Sequence, residues 1–284
     1  MRIVRDIDAL RAATRELRAE RGTLALVPTM GALHAGHVAL VGEARRLAGA
    51  AAASIFVNPL QFTGQDDLGR YPRDEAGDLA ALQHAGCDLV WLPTVKAMYP
   101  ASAATTIEVG SPAEGWEGEH RPGHFRGVAT VCTKLFMQTG ADFAVFGEKD
   151  WQQFQVVRRV VRDLDLTVGI VGLPTVREAD GLALSSRNRF LSPAERAVAP
   201  RLAMLMRQAA DAMAGGAPVG EALERATQAL REAGFAPEYL ALVEAESLRS
   251  IGALAPGQPA RLIAAARLGT VRLLDNLAVR LAEP

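Results

Sequence analysis

Two histidines three residues apart, His34 and His37, are the residues best placed to do chemistry. With Ala35 and Gly36 between them they form a His-x-Gly-His box that follows Leu24-Ala-Leu-Val-Pro-Thr-Met-Gly31. The apolar run breaks at Pro28, passes through a small-residue turn, and gives way to Val38, Val41, Ala44 and Ala48 at helical spacing. Both imidazoles therefore fall at a strand-to-helix junction, where unpaired backbone N–H groups and the positive end of the helix dipole point outward. Such a junction suits an anion, above all a phosphate. A histidine there can also donate to charge that builds up during a reaction. A zinc pair and a satisfied core histidine are the bland alternatives. Zinc would need third and fourth ligands, which no cysteine and only His84, His120 and His124 elsewhere in the chain could supply.

Other segments could complete a phosphate site. Gly147-Glu148-Lys149-Asp150 follows an apolar strand and opens a helix, which projects Lys149 near a helix N-terminus. Of 31 basic residues only Lys96, Lys134 and Lys149 are lysines, so a lysine can mark a place where a compact ammonium is wanted. Ser185-Ser186-Arg187-Asn188-Arg189 offers two hydroxyls and a planar guanidinium able to wrap a polyphosphate. Asn58-Pro-Leu-Gln61 ends a strand, and Gln153 lies at i+4 from Lys149. Primary amides there can pair with the hydroxyl and carboxylate groups of a small polar acid. Each segment alone is ordinary: Ser/Arg loops are common on surfaces and amides are frequent turn formers. No Gly-x-Ser-x-Gly elbow, Walker loop or Gly-x-Gly-x-x-Gly fingerprint occurs, so a nucleotide would be held by another device.

The elements that must carry these groups alternate. Helices are expected over 6–21, 74–86, 126–138 and 150–163. Strands are expected over 24–28, 53–57, 88–92, 105–109, 143–146 and 167–171. This predicts an α/β fold, a Rossmann-like doubly wound parallel sheet, with ligands beyond the carboxyl ends of its strands. After about residue 176 the pattern changes. Ser192-Pro-Ala-Glu195 is a helix start, followed by a helix to about Met213, a turn at 215–218 and a helix over 219–233. Short strands follow at 239–243, 260–264 and 270–274. The expected division is a nucleotide- and acid-binding domain over 1–176 and a smaller α+β domain over 177–284 that covers the site.

Composition narrows the classes. The 284 residues are 49% hydrophobic and 22% charged, with 31 basic against 32 acidic side chains. That balance argues against nucleic acid as a partner. Two separated cysteines argue against a disulfide framework. The charged N-terminus lacks the apolar core of a signal peptide, and the longest apolar stretch, 47–57, falls well below the ~20 residues of a membrane span. The expected setting is the cytoplasm, with no membrane partner.

Taken together the motifs resemble the pantothenate synthetase family of the His-x-Gly-His nucleotidyltransferase superfamily. The resemblance rests on Pro28-Thr-Met-Gly-Ala-Leu-His34-Ala-Gly-His37, Phe56-Val-Asn-Pro-Leu-Gln-Phe62 and Tyr71-Pro-Arg73. It continues through Arg121-Pro-Gly-His-Phe125, Phe146-Gly-Glu-Lys-Asp150, Leu184-Ser-Ser-Arg187 and Asp275-Asn276, in order over essentially the whole chain. It implies an AMP-forming ligation of (R)-pantoate and β-alanine through pantoyl adenylate, with ATP as substrate together with Mg2+, no tightly bound organic cofactor, and a homodimer. It also implies residue roles. Met30, Gly31, Ala32, Leu33, His34, Ala35, Gly36 and His37 cradle ATP, with His37 donating to phosphate oxygens and His34 assisting. Gly147, Glu148, Lys149 and Asp150 add a second wall, and Leu184, Ser185, Ser186 and Arg187 a third, with Lys149 and Arg187 gripping phosphates. The backbone near Val176 meets adenine. Gln61 and Gln153 hold pantoate, and Gln61 also lies near β-alanine.

Three positions depart from the family pattern. Thr63-Gly64 stands where Gly-Pro is usual. The acidic cluster after Tyr-Pro-Arg is thinned to Glu75, Gly77 and Asp78, so magnesium is expected with ATP and no protein ligand is assigned to it. Met137-Gln138 replaces a more polar pair, with no physical account. The competing readings are an adenylyl- or cytidylyltransferase of the same superfamily acting on a phosphorylated acceptor, and a non-catalytic nucleotide-binding protein on the same fold.

Overall fold

The computed structural model describes residues 1–62, 68–69 and 71–281; the Thr63-Gly64 departure lies outside them. The chain forms two compact units, Met1–Glu148 with Gln152–Pro174, and Lys149–Trp151 with Thr175–Pro284.

The first unit is built from β1 (Arg2–Val4), α1 (Ile7–Arg21), β2 (Leu24–Thr29), α2 (Ala35–Leu47), β3 (Ala50–Ile55), α3 (Glu75–His84), β4 (Leu89–Trp91), α4 (Val95–Met98), α5 (Trp116–His120), α6 (His124–Thr139), β5 (Phe143–Gly147), α7 (Trp151–Asp163) and β6 (Gly169–Leu173). The strands form one sheet in the order β1-β4-β3-β2-β5-β6, and every neighbouring pair is parallel. A parallel sheet is covered on both faces, so its strands are apolar throughout rather than alternating. The buried runs in β2 and β3 show this. In β3 that run is four alanines, Ala50–Ala53, followed by the buried Ser54. Alanine has little strand preference of its own, which is why the expected start at residue 53 fell three residues late.

Two aspartates align the starts of the central strands. Asp142, just before β5, accepts from the backbone N–H of Leu24 at 2.8 Å and from both Arg18 terminal nitrogens at 2.6 and 2.8 Å. Asp88, just before β4, accepts from Ala51 N–H at 2.9 Å and from Arg21 at 2.8 Å. Two arginines of α1 thus tie that helix to the sheet's N-terminal edge. Burial pushes the Asp142 carboxyl up, but its bonds from Arg18 and Leu24 outweigh burial and hold it below the ordinary 3.8. A depressed carboxylate stabilises the fold above its unfolded value, and the contribution is lost as pH falls through the folded one. Asp142→Asn is therefore expected to lower stability at neutral pH and to flatten the acid branch of the stability profile below about pH 4. Parallel acid branches for the two proteins in denaturant titrations would remove Asp142 as their source.

Two expectations for this unit are corrected. Residues 105–109 do not form a strand; the backbone N–H of Ile107 donates to Thr130 Oγ1 on α6 at 3.0 Å instead of to a ladder. Conversely, β1 went unread, because a three-residue strand is defined by its partner β4 rather than by its own pattern.

The second unit contains α8 (Pro193–Val198), α9 (Arg201–Ala214), α10 (Val219–Glu232), β7 (Phe235–Glu244), β8 (Ala260–Leu268) and β9 (Val271–Val279). Its three strands form an antiparallel sheet in chain order. Leu202, Met206, Met213, Leu230, Leu242 and Leu262 are fully buried in its core. The Ser192–Glu195 capping box is present. The single helix expected from there to Met213 is broken at Ala199-Pro200, because Pro200 has no N–H to continue the ladder. No described helix is long and apolar enough to cross a membrane.

Candidate active site

The His-x-Gly-His box forms the start of α2. His34 is its N-cap, with Nδ1 accepting from Gly36 N–H at 3.1 Å; His37 Nδ1 accepts from His34 N–H at 3.3 Å. This is a capping box built from two imidazoles, whose ring centroids lie 4.2 Å apart. An Nδ1 that accepts from a peptide N–H carries a lone pair, which places the ring proton on Nε2. Each ring is thereby assigned as an Nε2–H donor by its hydrogen bonds.

The turn before the box is held from below. Asp78, on α3 and 4% exposed, accepts from Ala32 N–H at 2.9 Å and Leu33 N–H at 2.7 Å. Thr29 Oγ1 accepts from Gly31 N–H at 3.2 Å and donates to the Ser54 carbonyl at 2.7 Å. Gly31 has φ +83°, and a Cβ there would lie 2.7 Å from Asp78 Oδ2. Ala32 also has positive φ, 54°, a conformation that persists only where the surroundings impose it. These contacts correct one expectation. The amides of Gly31, Ala32, Leu33, His34, Gly36 and His37 are bonded within the protein, so they do not form an open anion cradle. The donors that the box itself offers are the imidazoles.

Gln61 is 6% exposed and ends the 3-10 turn Pro59–Gln61, which Asn58 caps. Tyr99 O–H donates to Asn58 Oδ1 at 2.8 Å, Asn58 Nδ2 donates to Gln61 Oε1 at 3.0 Å, and Gln61 Nε2 donates to Met30 Sδ at 2.9 Å. The relay fixes the Gln61 amide with its NH2 toward Met30. Behind it, His124 Nδ1 lies 2.8 Å from the Gln61 carbonyl, which also accepts from Arg121 at 3.3 Å. The turn packs directly on α6 at Gly127, where a Cβ would come within 2.4 Å of the Leu60 carbonyl oxygen.

Sequence reasoning missed Asn58, Tyr99 and Arg121 as supports, and gave His124 only a possible zinc role. Asn-Pro ahead of Gln61 was a readable cap signal; Tyr99 carried none. Among the described residues no cluster of three His, Cys, Asp or Glu side chains could hold a metal. Gly147 closes β5, and Glu148 begins the 3-10 turn Glu148–Asp150. Gln153 is half-buried on α7, beside Gln152, whose amide bonds Glu117 N–H and the carbonyls of Pro112, Glu114 and Gly115.

The remaining candidates belong to the second unit. The Lys149 side chain is 16% exposed, and its Nζ lies 3.8 Å from Asp150 Oδ1. The Val176 carbonyl accepts from Leu184 N–H at 3.0 Å, beside the Arg177–Ala183 bridge. Ser185 caps the 3-10 turn Ser186–Phe190, its Oγ accepting from Arg187 N–H at 3.2 Å. With a lone pair engaged in this way, the Ser185 hydroxyl proton is directed elsewhere as a donor.

Comparison with known proteins agrees over the full length. A family profile described as pantoate-beta-alanine ligase matches residues 2–278. Pantothenate synthetases from Rhizorhabdus wittichii and Granulibacter bethesdensis are 56% and 53% identical, covering 98% of this chain and 99% and 96% of theirs. The crystal structure of pantothenate synthetase from Thermus thermophilus superposes with a TM-score of 0.91 at 48% identity, covering 99% of this chain and 100% of that one. A Francisella tularensis pantoate-beta-alanine ligase, crystallised with beta-gamma ATP and beta-alanine, gives 0.82 at 31% identity, with 98% and 97% covered. The chain belongs to the pantoate–β-alanine ligase family.

Proposed function

We propose that the chain condenses (R)-pantoate with β-alanine at the expense of ATP, through pantoyl adenylate, as a cytoplasmic homodimer. A pantoate carboxylate oxygen bonds to the α-phosphorus, and the bond to pyrophosphate breaks. The neutral amine of β-alanine then adds to the acyl carbon, AMP departs with the C–O bonding pair, and the amine nitrogen gives up a proton. The observation that carries this reading is the histidine capping box. Two Nε2–H donors fixed at a helix N-terminus suit the charge that develops on phosphate oxygens as pyrophosphate leaves.

In this reading His37 donates to that charge and His34 assists. Lys149 and Arg187 neutralise the phosphates, and Ser185 and Ser186 add hydroxyl donors. The Gln61 NH2, aimed by Asn58, meets an oxygen of pantoate and lies near β-alanine; Gln153 holds the acid from α7. Val176 lies beside the adenine. ATP enters as its Mg2+ complex, with no protein ligand assigned to the ion. Asp78 supports the nucleotide loop by holding its amides.

Pyrophosphate exchange into ATP is expected to need pantoate and to proceed without β-alanine. Exchange indifferent to pantoate would refute the ligase reading. Mass analysis of the full reaction is expected to show free AMP, whereas a transferase acting on a phosphorylated acceptor would keep the nucleotide on its product.

A further inference from the structure

Asp275 and Asn276 are neighbours on β9, so their side chains point to opposite faces of the sheet. Both are nearly fully buried, at 4% and 3% exposure. Asp275 shares its alternation with the core residues Leu273 and Val279, where a lone carboxylate would be costly. It is paired: Arg177 donates to it through both terminal nitrogens, at 2.7 and 2.8 Å, and one of them also donates to the Gly181 carbonyl at 3.0 Å. Arg177 adjoins Val176 and faces Ala183 in the bridge. Asp275 therefore fixes the turn that leads into Leu184-Ser185-Ser186-Arg187.

On the opposite face, Asn276 Nδ2 donates to the Lys149 carbonyl at 2.8 Å. Asn276 Oδ1 accepts from Arg261 at 2.6 Å. A guanidinium can only donate, so the amide cannot be flipped, and its NH2 must face Lys149. The same guanidinium lies 3.5 Å over the Trp151 ring, and Trp151 Nε1 donates to the Ala245 carbonyl at 2.7 Å. Asn276 N–H donates to Asp275 Oδ1 at 2.7 Å and joins the two halves.

We propose that Asn276 is the positioning residue for Lys149, and that the Asp275-Asn276 pair sets the spacing between the lysine and the Ser185-Ser186-Arg187 turn. The inference rests on the reading of Lys149 and Arg187 as phosphate-binding groups. It gives this dipeptide an indirect part in adenylation: Asn276 holds the backbone of Lys149, and Asp275 acts through the Arg177 guanidinium on the turn that leads into Ser185-Ser186-Arg187.

The test is a double-mutant cycle on the single-turnover rate of adenylation in the full-length protein. Asn276→Leu keeps much of the volume and removes the donor; it is expected to slow adenylation about 10- to 100-fold, as a displaced group would, with pantoate affinity unchanged. In a Lys149→Ala background the same change is expected to add little, because the group it positions is gone. Arg261→Met, which loosens the amide without emptying its site, is expected to show the same non-additivity with a smaller loss, and serves if Asn276→Leu does not fold. Independent, multiplying effects in both cycles would overturn the proposal. A Lys149→Ala protein with an unchanged adenylation rate would instead overturn the reading of Lys149 on which it rests.

Discussion

Replacing His37 with alanine is expected to slow adenylation by about 10²- to 10³-fold while ATP affinity stays within a few-fold of wild type. The ring's Nδ1 is occupied by His34 N–H, so the change removes an Nε2–H donor set at the positive end of α2. In the proposed mechanism that donor matters most when charge accumulates on the departing pyrophosphate, so its loss falls on the rate more than on binding. The substitution also removes half of a capping box, a loss of about 1 kcal/mol of helix-start stability that must be separated from chemistry. His37→Glu makes the separation. Glutamate is the usual capping-box partner at this position and complements the helix dipole, so this variant is expected to melt near the wild type yet adenylate poorly. Pre-steady-state kinetics and ATP titrations on both variants decide the matter. Lost ATP affinity with an unchanged rate in the bound complex would contradict a catalytic role.

The largest expected change in stability comes from Asp275→Ala. The Asp275 side chain is 2% exposed and Arg177 17% exposed, joined by two short bonds. Hydrogen bonding to Asp275 pushes the Arg177 pKa up; removing Asp275 removes that support, but arginine is intrinsically so basic that the guanidinium remains charged without its partner. Leaving one charge of a buried pair is expected to lower stability by about 3–5 kcal/mol, which corresponds to a fall in Tm on the order of 10 °C. The double variant Arg177→Met/Asp275→Leu is expected to recover most of the loss, since a well-packed apolar pair avoids desolvating two ions. Thermal and denaturant unfolding of the single and double variants supply the comparison. A loss below about 1 kcal/mol for Asp275→Ala would mean that water reaches Arg177 and compensates it.

What could be read from the sequence was mostly local. The histidine box, the Ser192 cap and the alternation of β and α carry their signals within a few residues, and the parallel sheet followed from them. Contacts set by distant partners were invisible. Asp78 lies 45 residues from the Leu33 N–H it accepts, and Tyr99 lies 41 residues from Asn58. The Lys149–Asn276 bond spans 127 residues. The expected open amides of the nucleotide loop failed only partly for this reason: the junction was located correctly, and Asp78 from another helix occupies the Ala32 and Leu33 N–H groups, but those of Gly31, His34, Gly36 and His37 are bonded locally, by Thr29 and by the histidine box itself. The break at Pro200 is a different case, since its cause stood in the local sequence and was outweighed by the long Ala/Arg pattern around it.

The histidine capping box also limits how the enzyme could be made more robust. Serine or aspartate is an ordinary helix N-cap, and replacing His34 with either would leave α2 as well started as before. The same exchange would delete the ring proton on Nε2. At positions 34 and 37 one nitrogen of each ring serves the fold and, in the proposed mechanism, the other serves the reaction, so under that proposal selection for thermal tolerance and selection for turnover pull on the same two side chains.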